Sequence, residues 1–131
     1  MGYRWVDHTA ELELRLDCPT EIAVFEDALT ALAELVADGA RHGRVSFEVA
    51  IEAPDRAALL AAWLDELLFR AETEDLIPER VERLRLDDGV LHATVAAVRG
   101  RPRHLVKGVT YHRLSLERVD GRYGATVVLD V

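Results

Sequence analysis

Near its amino terminus the chain gathers four side chains that can bind a metal ion or accept a proton. Asp7, His8, Thr9 and Glu11 lie within five consecutive positions. Carboxylates suit hard divalent cations, and a histidine beside them could serve as a ligand or a general base. The same residue types also form local hydrogen bonds with the backbone where a strand begins, so both interpretations stay open from this segment alone.

The last two residues offer two further carboxylates. Asp130 is followed by Val131, and a chain that ends there places a terminal carboxylate next to the aspartate. If the fold brings Glu11 alongside, three oxygen-bearing groups meet. Ca²⁺, Mg²⁺ and Mn²⁺ prefer such ligands, whereas zinc would need His and Cys residues, which here lie far apart in sequence. Alternatively, Asp130 is an ordinary solvated residue at the end of a strand and not a metal ligand.

A third group of polar residues follows a basic segment. Lys107, Thr110, Tyr111 and His112 lie close together, and the neighbouring basic residues are Arg99, Arg101, Arg103, His104 and Arg113. Such a patch could contact a phosphate or an acidic partner, or it could be a solvated loop. The alternation of side chains along a strand predicts that one of Tyr111 and His112 faces the core and the other solvent.

The overall composition argues against several classes of protein. The 131 residues include 24 acidic and 16 basic side chains, for a net charge of −8, which disfavours unaided binding to DNA or RNA. No run of eighteen apolar residues and no signal-peptide pattern is found, so a membrane span is not expected. The single Cys18 predicts a reducing compartment, which we take to be the cytoplasm, and an inert thiol.

Hydrophobic periodicity predicts the elements that must position these residues. Leu12, Leu14 and Leu16 alternate with charged residues, which predicts a strand with the leucines buried and Glu13 and Arg15 in water. Two amphipathic helices are predicted, the first capped by Thr20 and ending near Gly39, the second capped by Asp55. Their apolar faces consist of Ile22, Phe25, Leu29, Leu32 and Val36, and of Leu59, Leu60, Trp63, Leu64, Leu67 and Leu68.

The rest of the chain predicts strands joined by tight turns. A connector over 41–44 precedes a strand over 45–51, and turns at Asp87-Asp88-Gly89 and Asp120-Gly121 each join two strands. The predicted strands are 80–86, 90–98, 106–116 and 123–131, with a loop over 99–104. We therefore expect one α+β domain over residues 1–131, a mostly antiparallel β-sheet system packed against two α-helices.

Four motifs, in order, resemble those of the archease family. His8–Glu11 is similar to its His-Thr-Ala-Asp opening, and Leu59–Leu68 to its Leu-Leu-x-x-Trp-Leu-x-Glu-Leu-Leu helix. Val106–His112 resembles its Val-Lys-Ala-Val-Thr-Tyr-His strand, and Val128–Val131 its chain-terminal hydrophobic-Leu-Asp-Ile. The resemblance covers essentially the whole chain, although the segment over 100–107 is shorter than is usual in the family.

The resemblance implies both a function and a set of site residues. It implies a metal-binding accessory protein, not an enzyme, that activates an RtcB-type RNA ligase in tRNA splicing and RNA repair by promoting its guanylylation and turnover. The partner would be the ligase, with tRNA reached only through it and with no DNA or membrane. Glu11, Asp130 and Val131 would hold the ion, and Ca²⁺ is favoured because it tolerates the longer Glu11 in place of the family's aspartate. The residues implied in activation or partner contact are Lys107, His8, Asp7, Tyr111 and His112.

Two other classes of function remain as alternatives. A metal-dependent phosphoester hydrolase would use Glu11 and Asp130 as metal ligands and His8 or His112 as the general base. An RNA-binding module would work through the basic residues between Arg99 and Arg113.

Overall fold

The computed structural model describes residues 2–39 and 41–131, and within them the chain forms seven strands and two helices. The elements are β1 (Tyr3–His8), β2 (Glu11–Cys18), α1 (Glu21–Val36), β3 (Arg41–Glu52), α2 (Arg56–Glu74), β4 (Leu76–Asp87), β5 (Val90–Gly100), β6 (Gly108–Val119) and β7 (Arg122–Asp130). One sheet has the order β1-β2-β7-β6 and the other β3-β5-β4, and the pairings in both are antiparallel. The predicted single α+β domain is confirmed.

Both helices start where the sequence predicts. The backbone N–H of Ala23 donates to Oγ1 of Thr20 at 3.1 Å, and the N–H of Ala58 donates to Oδ1 of Asp55 at 2.8 Å. These contacts satisfy amide groups that have no partner within the first turn of a helix. Each helix contacts strands of both sheets. The leucine face of β2 therefore packs onto α1 in a core that the two sheets and the two helices share.

The two predicted hairpin turns are confirmed, and both need left-handed backbone. Gly89 has φ 71° between β4 and β5, and Asp120 and Gly121 have φ 52° and 76° between β6 and β7. Glycine and aspartate adopt this conformation at low cost, which allows a turn of two residues to join twisted strands.

Several strand boundaries differ from the predicted ones. The predicted connector over 41–44 is the start of β3, where a bulge near Gly43 interrupts the alternation of side chains. Strand β4 begins at Leu76, four residues before the predicted start, β5 runs on to Gly100, and β6 begins at Gly108 rather than Val106. Pairing with a neighbouring strand extends each of these segments, and local periodicity does not report such pairing.

The amino-terminal segment differs most from prediction. Residues Tyr3–His8 form β1, an edge strand that the alternation rule missed, so Asp7–Glu11 is a hairpin rather than a strand entrance. In the described part of the chain, no helix combines the length and apolar character that crossing a membrane would require.

Candidate metal and partner site

The first hairpin sets the position of Glu11. His8 and Glu11 are Cα partners on β1 and β2, and the turn between them places Ala10 in left-handed backbone at φ 60°. Glu11 is thus the first residue of β2, at one end of the sheet. Its side chain lies on the face opposite the buried leucines, because side chains alternate along a strand.

The carboxyl-terminal residues lie beside this turn. Asp130 is the Cα partner of Glu11 across β2 and β7, and directly opposed residues on antiparallel strands share a face of the sheet. The backbone N–H of Val131 donates to the carbonyl of Ala10 at 3.1 Å, which ties the chain end to the hairpin. The structure therefore brings Glu11, Asp130 and Val131 together, although 119 positions separate Glu11 from Asp130 in the sequence.

The donor chemistry of these three residues fits a hard cation. The two side-chain carboxylates and a main-chain oxygen of Val131 supply only oxygen, which Ca²⁺ and Mg²⁺ prefer. Across residues 2–39 and 41–131, no group of three or more His, Cys, Asp or Glu side chains is arranged around a common point. Within the described residues, these side chains alone therefore form no closed site of the zinc type.

Lys107 lies immediately beside Asp130. Its backbone N–H donates to the carbonyl of Asp130 at 2.7 Å, and the next residue, Gly108, is the Cα partner of Asp130 on β6. The Lys107 side chain is exposed. It is also the only lysine in a sequence that uses arginine at fifteen other positions. That contrast was readable in the sequence, and the compact ammonium group of lysine differs from a guanidinium in shape and hydration.

Tyr111 and His112 do not alternate between core and solvent as the sequence predicted. The register of β6 against β7 breaks between Thr110 and Ser115, so four residues lie against one, Val127. We call Tyr111–Leu114 the bulge segment. Within it, Tyr111 is 66% exposed and His112 is also exposed. The bulge, which periodicity does not reveal, lets both side chains face outward.

The prediction that Glu13 lies in water is wrong. Glu13 is only 3% exposed, although it belongs to the same sheet face as Glu11. Its carboxylate accepts from Nε of Arg15 and from Nε of Arg113, the latter at 3.0 Å, and Nε2 of His8 is 3.3 Å away. The hydrogen bond from Arg15 and that from Arg113 lower the pKa of Glu13 and outweigh the opposing effect of burial.

Arg113 connects this buried carboxylate to the candidate metal site. Besides its bond to Glu13, its Nη2 lies 3.6 Å from Oε1 of Glu11. Its backbone is left-handed, at φ 57°, because it belongs to the bulge segment. His8 is directed to Glu13 rather than to Glu11, and Asp7 is exposed on β1. The sequence predicted Glu13 as a solvated residue and Arg113 only as part of a basic patch, and their contact with each other is visible only in the tertiary structure.

A groove runs from Lys107 along α2. It has a volume of about 560 Å³, and its lining includes Phe69, which is 53% exposed, and Tyr111. Asp65 and Glu72 contribute carboxylates, and partial burial raises the pKa of Asp65. The groove thus combines exposed aromatic rings with carboxylates, two kinds of group that attract a cationic side chain.

Comparison with known proteins identifies close similarity over the whole chain. The model of the Archease protein family (MTH1598/TM1083) matches residues 3–131. The protein archease of Methanothermobacter thermautotrophicus is 37% identical, with 99% of each chain covered. That of Methanopyrus kandleri is 33% identical, with both chains covered completely.

Solved structures share the fold. The solution structure of Methanobacterium thermoautotrophicum Protein 1598 is similar with a TM-score of 0.72, at 30% identity and with 99% of each chain covered. A crystal structure from Thermotoga maritima, described as an archease and possible chaperone, has a TM-score of 0.70 at 19% identity, covering 96% of this chain and 94% of that one. The second likeness bears on the fold alone.

Proposed function

The chain belongs to the archease family, and from that premise we propose that it activates an RtcB-type RNA ligase in tRNA splicing and RNA repair. It does so as an accessory protein in the cytoplasm, by promoting guanylylation of the ligase and its repeated turnover. It is not itself an enzyme, and it reaches tRNA only through the ligase. The supporting observation is the cross-strand pair of Glu11 and Asp130 beside Lys107 at one end of the sheet.

Three residues of this edge would hold the ion. Glu11 and Asp130, on adjacent strands, and the carboxylate or carbonyl of Val131 would supply the oxygen donors, and the longer Glu11 favours Ca²⁺ over Mg²⁺ or Mn²⁺. The ion would supply positive charge that anionic groups of a nucleotide or a ligase can approach. The hairpin at Ala10 and the backbone bond from Lys107 to Asp130 hold the three donors at one edge.

Lys107 and the groove beside it would face the ligase. The lysine offers a mobile cation to a phosphate or a carboxylate of the partner. Phe69 and Tyr111, which are exposed, would pack on the stem of a basic side chain whose charge is met by Asp65 or Glu72. His8, Asp7 and His112 lie near this edge and would shape the contact.

The test is the rate at which a purified ligase is guanylylated in the presence of this protein and Ca²⁺ or Mn²⁺. Asp130→Asn and Lys107→Ala should each reduce the stimulation at least about tenfold, as the loss of a charged group at a contact does. Asp120→Asn is the matched control, because Asp120 lies in the turn at the opposite end of β7 and asparagine also adopts its backbone conformation.

Equal stimulation by all four proteins would show that this edge is not the active one. Turnover of phosphate esters without any ligase would instead favour the hydrolase alternative. Binding to bare tRNA that weakens steeply with salt would favour an RNA-binding module.

A further inference from the structure

The guanidinium of Arg113 lies beside Glu11, one of the three residues proposed above to hold the metal ion. Its Nε is held by Glu13 at 3.0 Å, and its Nη2 lies 3.6 Å from Oε1 of Glu11. One arginine of β6 therefore reaches over β7 to two carboxylates of β2. Val128 of β7 is the Cα partner of Glu13. It is completely buried, even though its side chain lies on the face of the sheet that points away from the helices.

We propose that Arg113 is the protein's own counter-ion at Glu11, and that a divalent cation bound at the Glu11–Asp130 edge competes with it. The competition couples metal binding to the conformation of the bulge segment, Tyr111–Leu114. This inference rests on the metal site proposed above and adds a residue that lowers the affinity of that site.

The two contacts of Arg113 differ in strength. Glu13 is buried and accepts a hydrogen bond of ordinary length, so it anchors the guanidinium. Glu11 is more exposed and farther away, and an ion pair of that kind is weak. The contact with Glu11 is thus the one that an incoming cation can replace while Arg113 stays attached to Glu13.

The charge of Arg113 also opposes a metal ion directly. Whether or not its contact with Glu11 persists, the guanidinium is held by Glu13 near the candidate donors. A divalent cation close to a fixed positive charge is repelled by it, even at the dielectric constant of a protein surface. Removal of this charge should therefore increase the affinity for the metal by about tenfold, which corresponds to about 1.4 kcal/mol.

The backbone of the bulge segment depends on these contacts. Arg113 has φ 57°, a conformation that is unfavourable for a residue other than glycine. The hydrogen bond of its side chain to Glu13 and its ion pair with Glu11 offset this cost. When the contact with Glu11 is replaced, the bulge segment becomes less constrained, and with it Tyr111, which lines the groove beside Lys107.

Linkage makes this coupling reciprocal. A partner that binds the groove and moves the bulge segment away from Glu11 would raise metal affinity by the same factor by which metal raises the affinity of the partner. Arg113 would thus couple metal binding at the Glu11–Asp130 edge to partner binding in the groove along α2.

The test is calorimetric titration of the purified protein with Ca²⁺, comparing wild type with Arg113→Gln, Arg113→Lys and Arg15→Gln. Arg113→Gln should bind Ca²⁺ about tenfold more tightly than wild type. Arg113→Lys keeps the positive charge and should bind like wild type. Arg15→Gln is the matched control, because Arg15 also donates to Glu13 but lies one row farther from Asp130, and its affinity should stay within about twofold of wild type.

Unchanged or weaker Ca²⁺ binding by a folded Arg113→Gln protein would overturn the proposal. An equal gain in Arg113→Lys would overturn it as well, because charge would then not be the cause. The absence of Ca²⁺ binding in both wild type and Arg113→Gln would mean that this arginine does not limit the site. The circular dichroism spectrum and the unfolding midpoint of each variant establish that it is folded.

A second measurement follows the bulge segment itself. In wild type, Ca²⁺ should shift the backbone amide resonances of residues 111–114 more than those of the turn at Asp120-Gly121, and in Arg113→Gln this difference should largely disappear. Stimulation of ligase guanylylation by the wild-type protein distinguishes a failure of this coupling from a failure of the proposed function. If stimulation occurs but the amides of the bulge segment do not respond to Ca²⁺, the coupling is wrong while the proposed function stands.

Discussion

Nε of Arg113 donates to Oε1 of Glu13 at 3.0 Å, joining two residues that are one hundred positions apart. The contact buries a carboxylate on the sheet face that the sequence assigned to water. It also places a cation beside Glu11, which the resemblance to archeases implies as a metal ligand. One side chain in an irregular part of β6 therefore contacts both the buried carboxylate of the sheet and the edge proposed to hold the metal ion.

Glu13→Gln should lower the free energy of unfolding by about 1–3 kcal/mol, because it weakens charge-assisted hydrogen bonds to a buried group. Urea denaturation measures the change. Glu117→Gln is the control, because Glu117 lies on the same face of the sheet, on β6, but is exposed, and it should shift stability by less than about 0.5 kcal/mol. A loss of similar size in both variants would mean that the Glu13 network is not stabilising.

Stability should also depend on pH through Glu13. The pKa of Glu13 lies below its ordinary value of 4.5 in the folded protein, first because of the hydrogen bond from Arg15 and then because of that from Arg113. Its contribution to stability is therefore complete above pH 4.5 and is lost as the pH falls through the folded pKa. Unfolding midpoints measured between about pH 6 and pH 3 should fall less steeply for Glu13→Gln than for wild type. If the unfolding midpoints of the two proteins fall equally steeply with pH, Glu13 is not the cause of the acid sensitivity.

Lys107→Arg should fail to replace the only lysine of the chain in ligase activation. The variant keeps the charge, but a planar guanidinium does not reproduce the compact ammonium group. We expect stimulation closer to that of Lys107→Ala than to wild type in the guanylylation assay. Full activity of Lys107→Arg would show that positive charge alone is needed at this position.

Cys18 should be unreactive in the folded protein. Burial, followed by the nearby carboxylate of Asp27, raises the pKa of the thiol to about 12, so very little thiolate exists at neutral pH. A colorimetric thiol reagent at pH 8 should react at least about a hundredfold more slowly with native than with guanidinium-unfolded protein. Equal rates would mean that the strand carrying Cys18 opens readily.

Trp63→Phe should destabilise the protein by about 1–3 kcal/mol, because it removes buried volume and a hydrogen bond. The indole N–H of Trp63 donates to the carbonyl of Phe25 at 2.9 Å, linking α2 to α1. Trp5→Phe, on the edge strand β1 and only half-buried, is the matched control and should cost less. The urea denaturation midpoints of the two variants measure the difference. A larger loss of stability in Trp5→Phe than in Trp63→Phe would contradict the prediction.

The helices were predictable because their signals are local. Thr20 and Asp55 cap helix starts through bonds to residues three positions away, and the leucines around Trp63 repeat at helical spacing. The turns at Gly89 and Asp120-Gly121 were likewise predictable from residue type. Strand β1 and the first residues of β3 were missed, because hydrogen bonds to a distant strand, and not periodicity, make them strands.

The amino-acid sequence by itself determined the fold class, the family motifs and the types of residue available for a metal and a partner. The tertiary structure decided which of them meet. Antiparallel pairing of β2 with β7 brought Glu11 to Asp130, and the irregular pairing of β6 with β7 exposed both Tyr111 and His112. The same irregularity carried Arg113 to Glu13, because a bulge changes the direction of side chains in a way that only the register between strands can specify.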